Sequence, residues 1–213
     1  MKTDDMIAML ATGAGAAPRH VAGRRYALAI GWGGLAAALL MAVMLGVRPD
    51  LAQAAALPMF WAKIAYTGTL TTGSLVAAAR LSRPGAELDR VPGLLAAVVL
   101  AMWALGTFSL LGAEREQWRS LVLGQTWRVC PFLIAVLSVP VFVAVLWAMK
   151  GLAPTRLRLA GGAAGLLAGA CAALVYSLHC PEMGAPFIGV WYLLGMLVPA
   201  AAGLLLGPRL LRW

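Results

Sequence analysis

The sequence predicts an all-α, polytopic membrane protein: a bundle of six transmembrane helices joined by short loops, with both termini in the cytoplasm. Three observations carry this prediction. Of 213 residues, 62% are apolar and 12% charged, with a mean hydropathy of +0.86, whereas a soluble domain lies nearer half apolar and about a quarter charged. The apolar residues gather into six stretches, at about 26–47, 57–79, 91–112, 130–149, 157–178 and 186–206. Each has the roughly 20 residues that a helix needs to cross bilayer hydrocarbon. The third observation is the placement of the cations. Lys2, Arg19, Arg24, Arg25, Arg80, Arg83, Arg90, Lys150, Arg156, Arg158, Arg209 and Arg212 fall on one side of the six-span arrangement, and only Arg48, Arg115, Arg119 and Arg128 on the other. The cation-rich side is cytoplasmic by the positive-inside rule.

The elements follow in order. Residues 1–25 form a polar cytoplasmic leader. Thr3 can cap a short helix there, Asp4 and Asp5 occupy its first turn, where the helix dipole favours carboxylates, and Met6, Ile7, Met9 and Leu10 make an apolar stripe. Acidic residues at the start and a long first apolar stretch argue against a signal peptide. Residues 26–213 are the membrane domain. Its stretches show no period-2 alternation, which disfavours a β-barrel. They are rich in Gly and Ala, and Gly161, Gly165 and Gly169 place two overlapping GxxxG spacings on the fifth span, as close helix packing in lipid requires.

The functional reading is narrowed first by residue types. All eight carboxylates, Asp4, Asp5, Asp50, Glu87, Asp89, Glu114, Glu116 and Glu182, fall outside the six stretches. Proton-coupled transport and intramembrane aspartyl proteolysis need acids in the bilayer and lose their support. The two histidines, His20 and His179, are not in mid-membrane, and no HExxH, CxxC or phosphate-binding loop is present. The chain is read as a non-enzyme. The +9 charge is explained by topology, so no direct nucleic-acid contact is expected. Lys63, inside the second span, is expected to snorkel to the outer headgroups, with pairing to Thr67, Thr71 or another helix as the alternative.

Three cysteines are present. Cys171 reads as a small packing residue in mid-span. Cys130 opens the fourth span before Pro131, and Cys180 follows the fifth in His179-Cys180-Pro181-Glu182. Because those helices are consecutive and antiparallel, both cysteines are expected at the same height on the outer side. Three readings are open: a structural disulfide, a redox- or metal-responsive thiol pair, and unrelated packing cysteines. No cofactor is required. A transient Zn, Cd or Cu at Cys130 and Cys180 suits the soft sulfur donors, with His179 and Glu182 as helper ligands.

At these residues the chain resembles the NrsF family. The likeness is carried by Met1-Lys2-Thr3-Asp4-Asp5-Met6-Ile7, by Gly46-Val47-Arg48-Pro49-Asp50-Leu51, by the lone Cys130, by His179-Cys180-Pro181-Glu182, by Trp191 and by the basic end from Arg209 to Trp213. Gln125 and Thr126 depart from the Ser, often after His, of the family pattern. The resemblance implies a six-span, multi-pass protein of the bacterial inner membrane, a negative regulator that holds an extracytoplasmic-function sigma factor on the cytoplasmic side. It also implies that the cysteines matching Cys130 and Cys180 trigger release under metal or oxidative stress, and it favours Asp4, Asp5, Met6, Ile7, Met9 and Leu10 as the partner-binding segment, docking of the apolar stripe on the lipid surface being the alternative. The alternatives are a membrane thiol-redox protein and a small transporter or structural membrane subunit.

Overall fold

The computed structural model describes residues 3–12 and 20–212. Lys2 and Arg19, which enter the cation count, lie outside the described residues, as do Met1, the Gly13 to Pro18 tract and Trp213. All the regular structure among the described residues is helical, with no strand. The long helices are α2 (Val21–Met44), α4 (Pro58–Leu81), α5 (Val91–Leu111), α7 (Cys130–Lys150), α8 (Leu157–Tyr176) and α10 (Leu193–Leu210), the last entered through α9 (Ala185–Phe187) and a π-helical turn (Ile188–Tyr192). Three shorter helices are α1 (Thr3–Thr12), α3 (Leu51–Ala55) and α6 (Arg115–Leu123). The sequence reading did not anticipate α3, α6 or the π turn.

Among the described residues five helices are long and apolar enough to cross a membrane: Val21–Met44, Val91–Leu111, Cys130–Lys150, Leu157–Tyr176 and Ala185–Leu210. The second predicted span, α4, has the length, 24 residues, but not the apolarity. Lys63, Thr67, Thr69, Thr71, Thr72, Ser74 and Arg80 dilute it. Boundaries elsewhere agree closely with the sequence, since Pro131 and the break at Pro154 fix the starts of α7 and α8. The first span begins earlier than expected, at Val21, so that Arg24 and Arg25 are helical.

Contacts between helix ends show that the six long helices alternate in direction. At one end Tyr26 and Ser82 pair their hydroxyls at 2.7 Å, and Leu157, which opens α8, meets Gly207 near the end of α10. At the other end Gly46 meets His179, and Lys63 meets Cys180. The centre of the bundle is α8, whose Gly161, Gly165 and Gly169 receive the backbone of α10 at Gly203, Pro199 and Met196; a Cβ at any of the three would collide with main chain. Small residues let the two backbones approach this closely, which is how helices gain dispersion contact when lipid supplies no hydrophobic drive. Gly33 of α2 rests on Val141 of α7 in the same way.

Candidate functional site: a buried cysteine pair

The site grows from the way α8 stops. The helix ends at Tyr176, the amides of His179 and Cys180 both return to Tyr176 O at 3.0 and 2.9 Å, and Pro181, lacking an N–H, prevents further turns. Across from it, Cys130 N donates to Thr126 O at 2.9 Å and Pro131 occupies the first turn of α7. These two local events bring Cys130 and Cys180 together. Both are fully buried, in one cluster with Ile134, Tyr176, Phe187 and Tyr192, both are unbridged, and each lies close enough to act on the ionisation of the other. The predicted proximity is therefore present. Cys171 is a separate buried residue in the neighbouring cluster.

The His179–Glu182 turn is held from several sides. His179 Nδ1 is 2.8 Å from Gly46 O. Arg48 N donates to Leu178 O at 3.1 Å, and Arg48 Nη1 to Cys180 O at 3.3 Å. The same guanidinium is gripped by Asp50 through two bonds of 2.7 Å, and the Arg48 bond holds the Asp50 carboxyl below the usual carboxylate range. Glu182 Oε1 accepts from the amides of Gln125 and Thr126 at 2.7 and 3.1 Å and from Thr126 Oγ1 at 3.2 Å. Trp191 stacks on Trp127, centroids 5.3 Å apart, and donates to Val122 O at 2.8 Å.

Lys63 corrects the sequence reading. It does not snorkel. The side chain is completely buried and its Nζ donates to Cys180 O at 3.1 Å and Glu182 O at 2.9 Å. The carbonyls that follow a helix C-terminus are unsatisfied and carry the negative end of its dipole, so the buried ammonium finds acceptors here. The Cys130 thiol as hydrogen-bond donor, and then the Lys63 charge, hold the Cys180 thiol below its ordinary range, against burial, which acts the other way.

The helper ligands are placed otherwise than the four-ligand set requires. His179 is engaged with Gly46 and Glu182 with the 125–126 backbone, and among the described residues no three His, Cys, Asp or Glu side chains gather as a metal site. A soft ion would find two sulfurs here, and recruiting His179 or Glu182 would break the bonds just given. Lys63, Arg48, Tyr176 and Tyr192 are site residues that sequence reasoning missed. The unexpected cation inside a span was the available signal for Lys63. Of the partner-binding residues, Asp4, Asp5, Met6, Ile7, Met9 and Leu10 all lie on α1, where no residue is buried.

Residues 10–213 match the family model described as "NrsF: Negative regulator of sigma F". The chain is 62% identical over 213 residues to the "Probable anti-sigma-F factor NrsF" of Azospira oryzae, and 42% identical over 215 aligned residues to the "Anti-sigma-F factor NrsF" of Caulobacter vibrioides, with the full length of both proteins covered in each case. No solved structure matches the chain. A whole-chain family match and relatives of this identity establish that the chain belongs to the NrsF family, a family of regulators and not of enzymes.

Proposed function

We propose that this chain is a membrane-embedded anti-sigma factor that holds an extracytoplasmic-function sigma factor at the bacterial inner membrane and releases it when Cys130 and Cys180 react. The observation that carries the proposal is the cysteine pair itself: two unbridged thiols fully buried in one cluster, at the opposite helix ends from the one where α2 follows the leader. A two-electron oxidant would join the sulfurs with loss of two protons; a thiophilic ion such as Cd or Cu would bridge them. Either changes the separation of α7 and α8 at that end, and stiff, close-packed helices pass the change along the bundle.

The topology belongs to the same proposal. Six spans with cytoplasmic termini are supported by the alternating helix directions, by the cation bias and by α4 itself. Its Thr67, Thr71 and Thr72 return their hydroxyls to carbonyls four residues back, at 2.9, 2.8 and 3.0 Å, which lowers the cost of placing them in lipid. The partner contact is assigned to α1, where Met6, Ile7, Met9 and Leu10 are all exposed and Asp4 and Asp5 fit an anionic lipid surface poorly. Co-purification of the sigma factor with the full chain from solubilised membranes tests the assignment. Replacing Met6, Ile7 and Leu10 together by Ser is expected to lower the bound sigma factor about tenfold or more, as loss of three apolar anchors implies. Undiminished co-purification would refute it.

A further inference from the structure

Lys63 has a role that its burial alone does not explain. Among the described residues it makes no ion pair, and the carboxylate on its own loop contact, that of Glu182, is turned to Gln125 and Thr126. Two of the three ammonium donors go to carbonyls of the cysteine turn, and the charge lies 5.7 Å from the Tyr192 ring centroid. The arrangement is asymmetric about the two sulfurs. Cys180 has Lys63 and Arg48 both bonded to its own carbonyl, whereas the backbone of Cys130 is tied to the neutral Thr126 carbonyl.

We propose that Lys63 is a positioning residue of the cysteine pair: by holding the Cys180 and Glu182 carbonyls it fixes the Cys180 sulfur against Cys130, and its charge makes Cys180 the first sulfur to attack an electrophile. Nucleophilic sulfur is anionic, and in a buried site an uncompensated anion is disfavoured. Among the described residues the full charges bonded to this turn are those of Lys63 and Arg48, and Arg48 is already neutralised by Asp50. Lys63 is therefore the counter-ion. With a low-molecular-weight disulfide as the electrophile, the Cys180 thiolate forms a mixed disulfide and expels one thiolate. The Cys130 sulfur then attacks the Cys180 sulfur, gives its proton to the second leaving thiolate, and closes the Cys130–Cys180 bond. Cys180 attacks and Cys130 resolves.

The role rests on the reading of the pair as the responsive site, but its chemistry is tested separately. The probe is methyl methanethiosulfonate, small enough to enter a buried site, applied to the full chain in native membranes. Labelling is followed by mass spectrometry in Cys130→Ser and Cys180→Ser chains, each also carrying Cys171→Ser. Cys180 is expected to label about tenfold faster than Cys130. Lys63→Gln, which keeps a donor without the charge, should slow Cys180 about tenfold and remove its lead, and Lys63→Arg should restore both. A purely structural Lys63 predicts the reverse, because a loosened turn exposes both sulfurs and both label faster. That outcome overturns the proposal, as does unchanged Cys180 labelling in Lys63→Gln. If that variant does not accumulate, the order in the two parent chains decides, and Cys130 reacting first or equally fast overturns it. Sigma-dependent transcription separates the two readings: cysteine variants that induce normally defeat the release function and leave the labelling order standing.

Discussion

Glu182 and Thr126 close a clasp between the cysteine turn and the segment leading into α7, one carboxylate oxygen accepting both the Thr126 amide and its hydroxyl. Gly124 makes room for it. Its φ is +53°, a value L side chains avoid, and a Cβ there would sit 2.6 Å from Glu182 Oε2. Gly124→Ala should therefore destabilise through strain and collision together, by about 1–3 kcal/mol, and Glu182→Gln by a similar amount through weakened charge-assisted bonds. Thermal unfolding of the detergent-solubilised protein measures both. An unshifted midpoint in either variant would show that the clasp is not a stabilising feature.

The α8–α10 contact is expected to be the least tolerant surface of the bundle. Gly165→Leu drives a branched side chain into the Pro199 and Ala200 backbone, and should remove most of the protein from the membrane, since overpacking costs about 1–3 kcal/mol even where neighbours can shift. Gly34→Ala is the control. A Cβ at Gly34 meets nothing within 4 Å, and membrane abundance should be unchanged or slightly raised.

Arg48 and Asp50 give the cysteine turn an acid limit. The Arg48 bond depresses the Asp50 carboxyl. A group whose folded value is depressed contributes stability above its unfolded value and loses it as pH falls through the folded one. The Arg48 amide, bonded to Leu178 O, should then lose protection from hydrogen exchange only below the ordinary carboxylate range. In Asp50→Asn the protection should be lower at neutral pH and no longer acid-dependent. Identical protection in the variant would disconnect the pair from the turn.

Reporter insertions test whether α4 is a span. If α4 crosses the bilayer, a periplasm-active reporter inserted after Gln53 is active, and the same reporter after Gly85 or fused after Trp213 is inactive. Activity at both loop positions would place α4 on the surface and leave five spans.

Much of the fold was legible because a span declares itself by length and apolarity alone, and because Pro131 and Pro154 punctuate α7 and α8. α4 read as an apolar stretch of spanning length, but Lys63 and its hydroxyls, buried at Thr67 and Ser74 and exposed at Thr69 and Thr72, leave it less apolar than the other five. The cysteine pairing could be inferred from antiparallel neighbours with short connections. The bonds around it could not. Which carbonyl a buried ammonium reaches, or that Glu182 faces Thr126 and not a metal, depends on loop geometry that no periodicity records. Arg48 and Asp50 stood in the sequence as part of a family likeness, with nothing local to say that the guanidinium reaches Cys180.

The central claim is that the Cys130–Cys180 pair governs release of the sigma factor, and single Cys130→Ser and Cys180→Ser variants test it most directly. Sigma-dependent transcription and membrane abundance are measured for each, with and without Cd or an oxidant. The account predicts normal abundance, a sigma factor still held, and no induction in either variant, with the double variant no worse than the singles because one sulfur alone cannot bridge. Normal induction in either single variant would contradict it.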